Sequence, residues 1–129
     1  MIVVDSSVWI DYFNGADSVA AGTLNELLGV ERLAIGDLIL TEVLQGFRSD
    51  PDFARARQAL LSFTVFPMLG VDAALRAAEN YRALRKRGVT VRKTADVIIA
   101  SFCIENGHSL LFSDRDFLPF VRHLGLVRA

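Results

Sequence analysis

Ile2-Val3-Val4-Asp5-Ser6-Ser7-Val8-Trp9-Ile10 reads as a short buried strand that stops on an acid and turns at once into a helix. Ser6 or Ser7 can cap that helix, and Asn14-Gly15 stops it. A second core run, Ser109-Leu110-Leu111-Phe112, also leads to a carboxylate, at Ser113-Asp114. Strands separated by helical stretches imply crossover connections, and so a mostly parallel α/β sheet with helices on both faces. Ligands of open α/β sheets bind beyond the carboxyl ends of the strands, at the switch point of the topology. If the two core strands are neighbours, Asp5 and Asp114 open into one crevice.

Between these runs the pattern alternates. A helix is expected over residues 18–29, a short strand at Leu33-Ala34-Ile35, and a helix over Leu38–Gln45 that Asp37 caps and Gly46 stops. Pro51 suits the first turn of a helix through Leu61, and Thr64-Val65-Phe66 is another strand. Asp72 is expected to cap a long helix ending at Gly88, with Ala74, Leu75, Ala78, Tyr81 and Leu84 on its inner stripe. Asp96–Asn106 is apolar nearly all round, hence central, and Gly107 ends it. Phe117–Leu124 is a last short helix and Leu126-Val127 a possible edge strand. No repeat, low-complexity tract or linker interrupts residues 1–129, which are read as one domain.

Composition fits a globular domain, with 52% apolar and 22% charged residues. The N-terminal apolar run is too short for a leader's hydrophobic region, and no run approaches the roughly 18 residues of a membrane span. Cys103, the single cysteine, lies between Phe102 and Ile104 and is expected to pack rather than react. These features suit a reducing, cytoplasmic setting. The net charge of −1 conceals an asymmetry: residues 1–46 hold seven acids and one base, net −6, and the remainder thirteen bases and eight acids, net +5. Arg82, Arg85, Lys86, Arg87, Arg92 and Lys93 form an acid-free basic stretch leading to Asp96. Such a stretch is either a solvated helix end or a rim that contacts phosphates, with Arg85, Arg87, Arg92 and Lys93 as the candidates.

Four acids stand alone in apolar or turn-forming surroundings: Asp5, Glu42, Asp96 and Asp114. Asp5, Asp96 and Asp114 could each merely cap a helix or form a turn. Glu42 is harder to dismiss, because an ionised group within Leu38-Ile39-Leu40-Thr41-Glu42-Val43 needs a partner and no base is nearby. Carboxylates folded onto one site repel unless a cation joins them, and hard oxygen ligands select magnesium or manganese over zinc.

The segments Val4-Asp5-Ser6-Ser7-Val8-Trp9-Ile10-Asp11, Thr41-Glu42-Val43, Thr94-Ala95-Asp96-Val97-Ile98-Ile99-Ala100 and Leu111-Phe112-Ser113-Asp114-Arg115-Asp116-Phe117 resemble the four signature blocks of PIN domains. More narrowly, they resemble VapC ribonuclease toxins, along the whole chain. The resemblance implies a three-layer α/β/α sandwich around a parallel sheet. It places Asp5, Glu42, Asp96 and Asp114 on the acidic quartet that holds Mg²⁺ or Mn²⁺, Asp116 on an additional acid found in some members, and Ser7 on the hydroxyl that supports the site. It also implies an RNA substrate, a co-expressed VapB antitoxin, and a homodimer that joins the antitoxin in a heterotetramer or larger assembly.

Metal-assisted hydrolysis of a phosphodiester is therefore the expected chemistry, with Asp5, Asp96 and Asp114 as ligands and Glu42 holding a metal or orienting water. His108 and His123 are expected at the surface, away from the site. A haloacid dehalogenase-type phosphatase would need a second Asp where Ser7 stands, and a phosphoacceptor receiver would need a downstream Lys that is missing. A binding module without catalysis would keep the fold and lose the quartet. Trp9, Tyr12 and Phe13 crowd one short helix, so some aromatic surface there is expected to stay exposed for the antitoxin.

Overall fold

The apolar triplets become the strands of a central sheet, and the acids fall at its edge. The computed structural model describes residues 1–129. Five strands, β1 (Ile2–Val4), β2 (Leu33–Gly36), β3 (Thr64–Phe66), β4 (Ser109–Leu111) and β5 (Val127–Arg128), pair in the order β3-β2-β1-β4-β5. Every pairing is parallel. β1 sits at the centre, with Ile2 and Val3 opposite Leu33 and Ala34 on one side and opposite Ser109 and Leu110 on the other. The chain therefore reverses its direction across the sheet between β1 and β4, which is the switch point. Val3, Val4, Ala34, Ile35, Leu110 and Leu111 are all buried, as a sheet covered on both faces requires.

The helices are α1 (Ser6–Phe13), α2 (Val19–Leu27), α3 (Asp37–Leu44), α4 (Asp50–Leu60), α5 (Val71–Lys86), α6 (Thr94–Asn106) and α7 (Leu118–His123). A 3-10 turn, Arg115–Phe117, precedes α7. α1 packs on α2 and α3, and α3 on α4, while α5 packs on α6. Parallel crossovers are right-handed, so α1 to α4 cover one face and α5 to α7 the other. The three-layer α/β/α sandwich expected from sequence is present, and the sheet is wholly parallel.

Local chemistry explains the boundaries. Ser18 and Ser49 cap α2 and α4, accepting from the amides of Ala21 and Asp52. Gly107 ends α6 with φ of 68°, a left-handed turn that suits glycine. Asp37 Oδ1 accepts from the amides of Leu38 (2.9 Å) and Met68 (3.0 Å), tying the start of α3 to the loop after β3. A Cβ at Gly36 would overlap the buried side chain of Met68, so that junction needs glycine.

The inner stripe of α5 differs from expectation. Ala77 and Leu84 are buried, whereas Ala74, Leu75 and Ala78 are exposed and Gly70, not Asp72, holds the capping position. The inward row also carries Asn80, whose amide donates to Ser101 Oγ on α6 at 2.9 Å. That polar contact lies on the same row as Ala77 and Leu84, so the inward face is not the one chosen by apolarity alone.

Candidate active site

Each acid of the quartet is delivered by the end of a regular element. Asp5 follows β1, and its amide donates to the carbonyl of Leu111 at 2.9 Å, continuing the central pairing. Its carbonyl accepts from Val8 and Trp9, so the same residue opens α1. Its side chain caps nothing and instead accepts from Ser7 Oγ at 2.9 Å through Oδ2. Asp114 lies beyond β4 and caps the 3-10 turn, Oδ1 accepting from the amide of Asp116 at 2.9 Å. Asp96 stands in the first turn of α6, whose capping position is Lys93. Glu42 rides on α3, flanked by the buried Ile39 and Val43.

At the carboxyl edge of the sheet the structure brings Asp5, Glu42 and Asp114 close enough to Asp96 for each of their charges to act on it. Carboxylate oxygens of Asp96, Asp114 and Asp116 lie within 4.8 Å of one another. Asp116, a doubtful member in the sequence, is thus inside the tightest trio, while Asp5 and Glu42 close the cluster from the α1–α4 side. Burial and then mutual repulsion raise the proton affinities of Asp5, Glu42 and Asp96. Burial pushes the Asp96 carboxyl up to about 6, with further upward pushes from Asp5 and Asp114. Burial also raises Asp5, partly offset by Ser7, and raises Glu42, helped by the charge of Asp5.

The donor set fits a hard divalent cation. Asp5 Oδ1, Glu42 Oε1 and Asp96 Oδ2 are buried and have no hydrogen-bond partner. Three orphaned carboxylate oxygens in one cluster are costly unless something positive satisfies them. Oxygen-only donors match magnesium or manganese rather than a thiophilic metal.

Part of the basic stretch joins the site. Lys93 Nζ lies 3.9 Å from Asp114 Oδ2, and the Arg92 guanidinium donates to Asp116 Oδ2 at 3.3 Å. Arg85 instead stacks over Tyr81 at the end of α5, and Arg87 follows it as an exposed residue with no contact to the acids. One participant was missed from sequence: Ser113 Oγ lies 3.2 Å from Ser7 Oγ, extending the hydrogen-bond chain from Asp5. Only the pairing of β1 with β4 makes those two hydroxyls neighbours. His108 is half-buried, stacked on Phe66 (5.0 Å between ring centres) and bonded to the N-terminal amine, so it is a packing residue rather than a surface one. It precedes β4 and lies at the opposite edge of the sheet.

A sequence model of the PIN domain matches residues 2–120. The chain belongs to the PIN-domain family. This PIN domain is 35% identical to ribonuclease VapC11 of Mycobacterium tuberculosis over 134 aligned positions, covering 100% of the chain and 98% of the relative. A VapC ribonuclease of Mycobacterium bovis matches equally well, at 35% identity over the same coverage. Among solved structures, VapBC2 of Rickettsia felis bound to promoter DNA superposes with a TM-score of 0.77 at 18% identity, covering 100% of this chain and 98% of the other. FitAcB of Neisseria gonorrhoeae gives 0.76 at 16% identity, with 100% and 97% covered.

The aromatic cluster of this PIN domain requires a correction. Trp9 is only 2% exposed, enclosed by Tyr12, Phe13 and Phe63, with the Phe63 ring centre 5.4 Å away. Phe63 arrives from the end of α4 and covers what one short helix could not bury alone. Trp9 is therefore a core residue, and α1 presents the exposed Ile10 and the half-buried Tyr12 and Phe13 at the surface.

Proposed function

We propose that the chain is a Mg²⁺- or Mn²⁺-dependent endoribonuclease and the toxin of a toxin–antitoxin pair, restrained by a VapB-type antitoxin. The observation that carries this reading is the set of orphaned oxygens of Asp5, Glu42 and Asp96 at the switch point. The named ribonuclease activity of the 35%-identical relatives supports the RNA substrate, and the VapBC and toxin–antitoxin complexes among the structural neighbours support the antitoxin.

A divalent cation bound there makes water nucleophilic near neutral pH and offsets charge on the phosphoryl oxygens. Asp5, Asp96 and Asp114 would hold it, with Asp116 as a further ligand or as the anchor of Arg92. Ser7 fixes Asp5 by occupying Oδ2, which leaves Oδ1 for the cation. Glu42, with its raised proton affinity, would accept a hydrogen bond from the attacking water and align it. Lys93 and Arg92 border the cluster and would draw in the phosphodiester, with Arg85 and Arg87 as more distant contacts. The antitoxin would dock against Tyr12 and Phe13, beside a groove of about 600 Å³ shared with Phe47 and Arg48.

The test is cleavage of mixed RNA by the purified chain. Cleavage should need Mg²⁺ or Mn²⁺, stop with EDTA, and be lost in Asp96→Asn and Asp5→Asn. Wild-type cleavage by purified Asp96→Asn would overturn the assignment.

A further inference from the structure

The geometry points to a separate phosphate-binding subsite for the RNA strand, built around Arg128 on the α1–α4 side of the carboxylate cluster. The inference rests on the ribonuclease reading above and adds a residue that the acidic motifs do not contain.

Arg128 belongs to the edge strand β5 and is exposed, but its side chain has two partners. Its guanidinium donates to the carbonyl of Phe112 at 3.3 Å and stacks over the Phe112 ring at 4.3 Å from the centre. Phe112 is itself 1% exposed and braced by Phe117, so the platform is rigid. No carboxylate lies within ion-pairing distance of Arg128, unlike Arg92 and Lys93. A guanidinium already resting on a ring and bonded once has less freedom to lose on binding than a free one, and it keeps further N–H donors for an anion.

Arg128 lines a cavity of about 440 Å³, together with Thr23, Val19 and Ser113. Pockets of a few hundred Å³ accept a nucleotide. Ser113 connects this cavity to the cluster, because its hydroxyl meets Ser7, which holds Asp5. Arg128 is the one charged side chain of the cavity lining, which also includes the backbone of Ala129. Arg92 and Lys93 border the carboxylates from the α6 side, and Arg128 lies across the sheet edge from them. A strand bound between the two would place its scissile phosphate over the acids and a flanking phosphate on Arg128. The flanking group is positioned and not cleaved, so Arg128 is a positioning residue.

The probe is a fluorescein-labelled single-stranded RNA of mixed sequence, bound in the Asp96→Asn background so that it survives. Adding Arg128→Gln should weaken binding about tenfold at low salt, as expected for one lost charge-assisted contact. It should also flatten the salt dependence by roughly 0.7 on a logarithmic plot. Arg128→Lys should restore the salt slope and only part of the affinity, because ammonium lacks the planar fork. Mn²⁺ binding, measured by calorimetry in the otherwise wild-type chain, should not change with Arg128→Gln. Unchanged affinity and slope in Arg128→Gln would overturn the subsite. A parallel fall in Mn²⁺ affinity would overturn it too, by making Arg128 part of the cluster. If the parent chain neither bound nor cut RNA, the ribonuclease reading would fail and the subsite with it.

Discussion

Two buried polar positions on α6, one turn and a little more apart, are treated in opposite ways. Ser101 is 3% exposed and has a partner, its hydroxyl accepting from Asn80 at 2.9 Å. Asp96 is 6% exposed, carries charge, and leaves Oδ2 without a partner. The same contrast holds between the two edges of the sheet. At the amino edge, the amine of Met1 meets His108, and the amides of Ile2 and Ser109 donate to Arg32 and Met1. At the carboxyl edge, repelling carboxylates are gathered and left short of donors. Folding alone would select against that arrangement, and the cation proposed above would compensate it where Lys93, Arg92 and Ser7 do not.

The largest effect should come from the packed side of the comparison. Trp9→Ala removes a ring enclosed by Tyr12, Phe13 and Phe63. It should lower stability to urea by about 3–5 kcal/mol. A loss below about 1 kcal/mol would mean that Trp9 is more open than the structure has it.

A smaller effect, of a few kcal/mol at most, should appear as a pH dependence. The ordinary Asp96 value of 3.8 is raised to about 6 by burial and by the charges of Asp5 and Asp114. Between those pH values the folded chain holds a proton that the unfolded chain has released. The stabilisation is complete below the lower value and gone above the higher one. Metal-free protein should therefore melt at a higher temperature at pH 5 than at pH 7, and Asp96→Asn should flatten this trend. Mn²⁺ should reverse it, since the ligands must be deprotonated. A metal-free melting temperature that rises steadily from pH 5 to pH 7 would contradict the crowding of carboxylates.

The smallest of these effects should be at Ser101. Ser101→Ala strands the Asn80 amide and should cost about 1–2 kcal/mol without altering RNA cleavage. Asp96→Asn should do the reverse, abolishing cleavage while leaving metal-free stability unchanged or higher. Matching signs for the two variants would erase the distinction between a structural and a functional polar position.

Much of this was legible before folding, and the reasons are local. The runs Ile2-Val3-Val4-Asp5 and Leu110-Leu111-Phe112-Ser113-Asp114 show core strands and their acid ends together, so the parallel sheet and its crevice follow from the strands. Glu42 declares itself by having no partner in an apolar helix. What stayed hidden depends on distant pairing. The inward row of α5 includes Asn80, which meets Ser101, and the alanine-rich sequence offers little contrast between faces. Trp9 is closed over by Phe63, from a different part of the chain. Ser113 becomes a neighbour of Ser7 only through the β1–β4 pairing, and Arg128 acquires its platform only when β5 joins the sheet.

The central claim is that the carboxyl edge is short of positive charge by design and that a divalent cation supplies it. The most direct measurement is the shift in melting temperature on adding Mn²⁺ at pH 7, compared between the wild-type chain and Asp96→Asn. A ligand that binds only the folded state at about a hundred times its Kd stabilises by about 2.7 kcal/mol, several degrees for a domain of this size. The account predicts that rise in the wild type and its loss in the variant. An equal rise in both proteins, or none in either, would contradict it.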